Sequence, residues 1–588
     1  MKNIILSFLI LLFVTGCDDF LDTKPQGRLS EDILNSSEGV DLLVNAAYAA
    51  LGGPRGQEWS VWTFPTTNWS YGEVRSDNAY KGGGGTGDIM DIHKIETYDV
   101  DATLGNIDGK WYHLYCSVQR CNSALRILNK STDEEVANRS SRIGEMKMLR
   151  AHYYFELSRM YNKIAYFDEN VAIDDYTKIP NDQYTRDEIL GMIANELQAA
   201  ADMLPPAQSE IGRVNKYTAL AYKAKVRLYQ AYVQDENTHA ITSINKTLMQ
   251  EVVDLCDEVI GSNKYDLLDD FQQLDLVAFE NGKESIFAVQ YSMNDGTASA
   301  GRINWSHLLN TPQGPYSGDG FFLPSQNLIN SFKTDANGLP LFDTFNDQDY
   351  STITFDGSGN PINANVDSNV DPRLDFIVGR PNIRWKTYTD SPCLNSWVRD
   401  QGTYGYNCSK RFCVSPESPD MFEGWPWGAS QLNWQIIRYA DILLWKAEAL
   451  IEIGTDLETA RGLINDIRER AKDSEYVKDF NDDTKYAANY KIEPYPATGW
   501  SQDYARKALQ FESRLEKAME GERFFDLVRW GIAKDVMNKY FAREKSKRVY
   551  YANSTFQNGR DEYYPISNGQ YNLSEGLYVQ NPGYGQFK

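Results

Sequence analysis

Residues 59–80 hold Trp59, Trp62, Phe64, Trp69, Tyr71 and Tyr80, six aromatics in 22 positions against a chain-wide frequency of 13%. Between them stand Asn68, Glu73, Arg75, Asp77 and Asn78. An aromatic ring offers a flat apolar face, and neighbouring amides and carboxylates offer directed hydrogen bonds. That combination suits a sugar, whose ring carries apolar C–H faces and a rim of hydroxyls. Trp69, Tyr71, Asp77 and Asn78 are therefore candidate ligand contacts, in a segment that reads as a loop. The competing role for the same aromatics is to pack that loop onto a scaffold. A second concentration, from Trp385 to Trp434, has five Trp in 50 residues. There Arg384 adjoins Trp385 and Trp397 stands close to Arg399, so Arg384 and Trp397 join the candidates as a donor and a stacking face. The turn Trp425-Pro426-Trp427 reads as structure, a packing plug.

Other chemistries lack their usual residues. Gly82-Gly83-Gly84-Gly85 follows Lys81 and precedes no Gly-Lys-Ser/Thr, so it is a flexible loop without the lysine of a phosphate-binding turn. None of the five His lies in an HExxH, and no GxSxG occurs. Glycoside hydrolysis needs two carboxylates about 5–9.5 Å apart, a demand that 82 acidic residues meet without specificity. Asp335-Ala336-Asn337-Gly338 and Asp356-Gly357-Ser358-Gly359-Asn360 resemble pieces of calcium loops but lack the closing Glu, and both read as turns. No catalytic residue, metal or cofactor is expected. With 59 Lys+Arg against 82 Asp+Glu, the formal charge of −23 excludes broad attraction to nucleic acid.

Cys17 carries a different chemistry. Lys2 is followed by an apolar run, Ile4 to Val14, too short to span a bilayer comfortably and ending in Val14-Thr15-Gly16-Cys17. Small residues before a cysteine resemble the lipobox cut by lipoprotein signal peptidase. Residues 1–17 are thus expected to be a lipoprotein signal peptide, Cys17 the lipidated residue that attaches the chain to a membrane, and 18–30 a polar tether. Export would permit disulfides. Cys393, Cys408 and Cys413 fall within 21 residues of loop-like sequence, where one bridge is plausible with its pairing open; Cys116 and Cys121 read as buried free thiols on a helix.

The elements that must position these residues are mainly α. From 31 to 261 the pattern is helical and paired: Thr185-Arg186-Asp187-Glu188 is a capping box opening the stripe Ile189, Leu190, Ile193, Leu197, Ala200, closed by Pro205-Pro206. Trp111–Leu128, Ile143–Tyr161, Lys216–Val233 and Leu248–Ile260 read the same way. From 262 to 437 the texture changes to Gly-Pro, Asp-Gly and Asn-Gly turns with short strand-like runs such as Ser285–Val289, a loop-rich elaboration. From 438 to 588 helices resume, notably over 438–472 and 506–530, before a Tyr- and Gly-rich C-terminal loop. Ala447, Leu450, Gly454 and Ala460 fall near the small and apolar positions of a tetratricopeptide repeat, whose helical pairs stack into a curved solenoid.

Several segments together resemble the SusD/RagB family of outer-membrane nutrient-binding lipoproteins. They are Cys17-Asp18-Asp19-Phe20-Leu21-Asp22; Gly144 to Phe155, with Glu145 and Arg150-Ala151; Gly212-Arg213-Val214-Asn215; and Asp371-Pro372-Arg373-Leu374. Arg438-Tyr439-Ala440-Asp441 follows, with Asp441 where the family has Glu, then Glu520-Gly521-Glu522-Arg523-Phe524-Phe525-Asp526-Leu527 and Gln580-Asn581-Pro582-Gly583-Tyr584. The resemblance implies a tetratricopeptide-like helical-pair scaffold with an irregular, loop-rich ligand-binding elaboration. It also implies a non-catalytic, cell-surface lipoprotein that passes oligo- or polysaccharide to a SusC-like TonB-dependent outer-membrane barrel. It adds Tyr291 and Trp305 to the candidate contacts. Arg150, Arg438, Arg523 and Asp526, set among apolar helix positions, are expected to form scaffold ion pairs. Peptide cargo, a surface-anchored glycoside hydrolase and a purely structural repeat protein are the alternatives.

Overall fold

The computed structural model describes residues 36–53, 58–296, 301–386, 389 and 391–587; Cys17 and the tether lie outside them. The scaffold helices are α1 (Ser37–Ala49), α2 (Gly105–Lys130), α3 (Arg139–Tyr161), α4 (Arg186–Met203), α5 (Lys216–Ala231) and α6 (Lys246–Gly261). After the loop-rich segment come α7 (Tyr439–Ile453), α8 (Leu457–Asp473) and α9 (Gln502–Glu516). Capping chemistry sets their starts. Thr185 accepts from the Glu188 amide while the Glu188 carboxylate accepts from the Thr185 amide at 2.8 Å, and Asn215 does the same work for α5 with Thr218. Each box satisfies amide donors that the first helical turn leaves without partners. The buried face of α4 includes Ile189, Leu190, Ile193, Leu197 and Ala200, the stripe its sequence spells out.

Successive helices pack on one another from α2 through α6. The stack does not stop there: α6 packs against α7, and α7 against α8 and α9, so helices separated by the whole loop-rich segment form one continuous layer. Lys446 on α7 reaches Asp257 on α6 at 2.5 Å across this junction. Gly454 ends α7 with φ +82°, a left-handed cap that glycine adopts without strain, and Asp456 caps α8 by accepting from Thr459 N. Ala447 and Ala460 are fully buried on the two helices so joined. The fold is mainly helical, built of tetratricopeptide-like pairs.

Among the described residues the strands pair two by two, including Ser285–Val289 with Trp434–Arg438 and, joining the first helical segment to the elaboration, Ala79–Gly82 with Phe321–Pro324. The helix expected over 506–530 is interrupted. α9 ends at Glu516, Gly521 takes φ +86°, and a short helix restarts at Arg523. The break presents Glu516, Glu520 and Glu522 to arginines from elsewhere. Arg438 contacts Glu516 (2.6 Å), Glu284 (2.9 Å) and Glu520 (3.0 Å), and Arg373 contacts Glu512 (2.6 Å), Asp371 (2.7 Å) and Glu516 (3.1 Å), every group buried. Arg470 also pairs with Glu516, and three guanidiniums overcome the burial that would otherwise raise that carboxyl, holding it down at about 2. Away from this hub, Arg150 pairs with Glu196 (2.5 Å) and Glu169 (2.6 Å), and Asp526 with Arg529 (2.9 Å). These charges are structural.

Candidate functional site

The segment from Asn68 to Asn78 is not an open loop. It forms a π-helical turn, Trp69–Val74, wider than an α-helix, and is buried throughout. Trp69 is 1% exposed, its ring 5.6 Å from Phe322 and 6.2 Å from Phe321. Tyr71 donates to the carbonyls of Asn106 (3.0 Å) and Trp62 (3.2 Å), with its ring edge-on to Tyr564. Asp77 bridges Arg514 and Arg523 at 3.0 Å each; the two guanidiniums outweigh its burial and hold its carboxyl at about 2. Asn78 Oδ1 accepts from Arg514 Nε at 2.8 Å. Gly72 shows why the turn sits so deep, since a Cβ there would lie 1.8 Å from the Gly521 carbonyl oxygen. Gly72 and Glu73 set this segment against Gly521, while Trp69, Tyr71, Asp77 and Asn78 are engaged by Phe321 and Phe322, Asn106, Arg514 and Arg523, so their faces are taken by the protein itself. The packing role wins.

Arg384 and Trp397 fall in another interior cluster. Trp397 is 4% exposed, edge-on to the buried Trp385 at 5.0 Å, and lies where a side chain at Gly314 would otherwise go. Arg384 pairs with Asp483 at 2.7 Å and donates to the Thr389 carbonyl at 2.8 Å. Neither shares a surface with the Trp69 segment. Asp335 and Asp356 fold their own loops as turns: Asp335 Oδ1 accepts from Asn337 N (2.7 Å) and Leu339 N (2.9 Å), and Asp356 Oδ1 from Ser358 N and Asn360 N (2.8 Å each). Among the described residues no group of His, Cys, Asp and Glu is arranged to hold a metal ion.

Among the described residues Tyr112, Phe355 and Tyr486 are exposed singly, whereas two outward-facing tryptophans stand together on the turn that reads as a plug. Trp425 is 60% and Trp427 52% exposed, on either side of a cis Trp425–Pro426 bond. They ride the tip of a small hairpin. Met421 and Ser430 form an antiparallel bridge, Phe422 N donates to Ala429 O at 2.8 Å, and Gln431 Nε2 donates to Asp420 Oδ1 at 2.7 Å. Trp305 stands edge-on to Trp425 with ring centroids 6.1 Å apart. It belongs to an apolar cluster with Val61, Phe64, Ile303, Leu308 and Ala429, against which Trp62, Met293 and Phe422 also pack. Tyr291 lies behind this floor, its hydroxyl 3.1 Å from Ser306 Oγ. At the edge, Arg302 extends into solvent 3.6 Å from Asp295. Two exposed indoles on a braced hairpin, over an apolar floor with ionic groups beside it, can grip a flat, partly apolar, polyhydroxylated molecule by stacking and hydrogen bonding. Of the residues picked from sequence, Tyr291 and Trp305 reach this place. Trp425 and Trp427, which read as a packing plug, stand outward instead: a Trp-Pro-Trp run between Gly424 and Gly428 has no periodic element that could bury both rings.

The profile of the SusD family matches residues 283–584, and a second profile, described as starch-binding associating with outer membrane, matches residues 19–228. The chain belongs to the SusD family. SusD-like protein P2 of Formosa agariphila is 23% identical over 99% of this chain and 100% of its own length. Among solved structures, a SusD superfamily protein from Bacteroides vulgatus superposes with a TM-score of 0.67 at 20% identity, covering 93% of this chain and 99% of its own. Surface glycan-binding protein A from Bacteroides thetaiotaomicron, in complex with laminarihexaose, superposes with a TM-score of 0.62 at 20% identity over 93% and 99% of the two chains. The SusD-type motifs of this chain meet in the interior: Arg373, Arg438 and Glu520 belong to the ionic hub beneath the elaboration, and Arg523 reaches Asp77. They hold the fold.

Proposed function

We propose that this SusD-family protein is a non-catalytic carbohydrate-binding protein of the outer-membrane surface, held there through a lipidated Cys17, that passes captured oligosaccharide to a SusC-like TonB-dependent barrel. The observation that carries the carbohydrate reading is the exposed pair Trp425 and Trp427, with Trp425 edge-on to Trp305. Exposed indole faces lose water when an apolar sugar face covers them, and neighbouring ionic groups can take up the hydroxyls. The laminarihexaose complex of the glycan-binding neighbour supports the ligand class. The second profile's description supports the membrane association. Among the described residues no helix is long and apolar enough to cross a membrane. Peptide cargo predicts a large closed cavity formed with the barrel instead of an open aromatic platform, so the exposed hairpin favours carbohydrate.

The test is native affinity electrophoresis of the form beginning at Asp18, run through neutral and acidic polysaccharides including glucans, xylans, mannans and fructans. Retardation by one polymer without its depolymerisation is the expected result. Shortening of the polymer would overturn the non-catalytic reading, and no retardation by any would overturn the carbohydrate reading. Release of the protein from the membrane fraction by Cys17→Ala is the expected result for the anchor; retention there would overturn it.

A further inference from the structure

Behind the aromatic hairpin, residues 378–414 bring two thiols into contact. Cys393 and Cys408 are buried with their Sγ atoms 3.8 Å apart. Cys408 lies on a short strand paired with Gly379, and Gly379 makes room for its neighbours: a Cβ there would fall 3.4 Å from Cys393 Sγ and 2.4 Å from the Trp385 ring. The backbone of Cys393 is fixed on both sides, its amide donating to Ile383 O and its carbonyl accepting from Asn382 N, each at 2.8 Å. The third cysteine of the region, Cys413, is also buried, and burial pushes its thiol up to about 12, with Lys386 and Asp275 as its charged neighbours.

We infer that Cys393 and Cys408 form a built disulfide site, closed by oxidation in the compartment to which the chain is exported; this rests on the surface location proposed above. A bonded sulfur pair sits about 2.05 Å apart. The two Sγ atoms, already in contact at 3.8 Å, must close by about 1.8 Å to reach it. The chemistry is thiol–disulfide exchange with an oxidant of the protein-disulfide class. The thiolate of one cysteine attacks the oxidant's disulfide, forming a mixed disulfide and displacing one oxidant sulfur as thiolate. The second cysteine thiolate then attacks the protein sulfur, forming the Cys393–Cys408 bond and displacing the other oxidant sulfur. The two cysteines give up two electrons and two protons, and the oxidant leaves as a dithiol. In the closed structure the contact with Cys393 and burial raise the Cys408 thiol well above its ordinary value, so the attacking thiolate forms before the segment packs. Burial places the exchange before the segment closes and shields the finished bond from reductant.

The bond would tie the two loops that back the binding hairpin. Trp397 O accepts from Gln313 N at 3.1 Å, and Thr311 Oγ1 lies 3.5 Å from Trp427 O, so residues 393–408 are linked to the hairpin through 311–313.

The test is peptide mapping of the chain beginning at Asp18, exported into an oxidising bacterial periplasm, alkylated under denaturing conditions without reductant and then digested. The expected result is one linked peptide pair joining Cys393 to Cys408, lighter by two hydrogens, with Cys413 alkylated and the link abolished by prior reduction. Full alkylation of both residues, or a link to Cys413 instead, overturns the inference. The same mapping on the full chain in its native outer membrane separates the two readings. A link in the exported form but thiols in the native membrane leaves the site standing and overturns the location.

Discussion

At the scale of single residues, exposure decides what a tryptophan is for. Trp69 and Trp425 have the same side chain, yet one is packed against Phe321 and Phe322 while the other stands 60% in solvent. Trp425→Ala and Trp427→Ala are each expected to weaken polysaccharide binding by about 1–3 kcal/mol, roughly 5- to 150-fold, with the melting temperature nearly unchanged. Trp69→Ala is expected to do the reverse, costing about 3–5 kcal/mol of stability. Titration calorimetry beside a thermal melt checks both; unchanged binding in folded Trp425 and Trp427 variants would remove the hairpin from the site. Charge follows the same logic. Arg438→Met would take one guanidinium from each of the buried carboxylates Glu284, Glu516 and Glu520, leaving them more negative charge than Arg373, Arg411 and Arg470 can balance, and a loss of about 3–5 kcal/mol in urea unfolding is expected. The aromatic enrichment around Trp69 was legible in the sequence, but its burial was not. The aromatic-plus-amide composition of a sugar contact is also that of a polar-lined docking turn, and only the neighbour across the gap distinguishes them.

At the scale of elements, glycines show where one piece presses on another. Gly428 has φ +75°, and a Cβ there would fall 2.5 Å from Thr311 Oγ1, so Gly428→Ala strains the aromatic hairpin by about 1–2 kcal/mol and displaces its tip. Weaker glycan binding in a protein that melts within a few degrees of wild type is the expected outcome. Gly72→Ala meets the Gly521 backbone at 1.8 Å, where neither side can give way, and is expected to abolish soluble folded protein. Expression and circular dichroism of the two variants distinguish a displaced loop from a broken scaffold. The helices themselves were readable, because the Thr185 capping box and the α4 stripe are local features that need no partner to be recognised. The interruption after Glu516 was not. Apolar periodicity runs on through Phe524, Phe525 and Leu527, while the backbone turns left-handed at Met519 and Gly521, where Glu516 and Glu520 meet arginines distant in sequence.

At the scale of the whole molecule, buried titratable groups set a pH window. Burial raises the Glu73 carboxyl to about 8, so the folded state keeps a proton that the unfolded chain gives up near the ordinary value of 4.5. Its contribution is complete below 4.5 and is lost as pH rises through 8. Glu280 and Glu562, raised by burial to about 7, act in the same sense. Asp77 and Glu516, held at about 2, contribute above their ordinary values near 4 and lose that contribution as pH falls through 2. Stability to urea is therefore expected to peak in mildly acidic solution and to fall toward pH 8, and Glu73→Gln should flatten the alkaline side. A profile that rises steadily from pH 5 to 8 would contradict this assignment. The sequence alone determined the helical pairs, the loop-rich character of 262–437, the family and the net negative charge, because capping, apolar period, turn residues and local motifs act over a few residues. The tertiary structure alone decided that α6 and α7 join one stack across that segment, and that Arg373, Arg438 and Glu520 share one buried hub. It likewise decided which tryptophans face water, because burial depends on which distant segment covers a residue, and neither side chain type nor spacing encodes that.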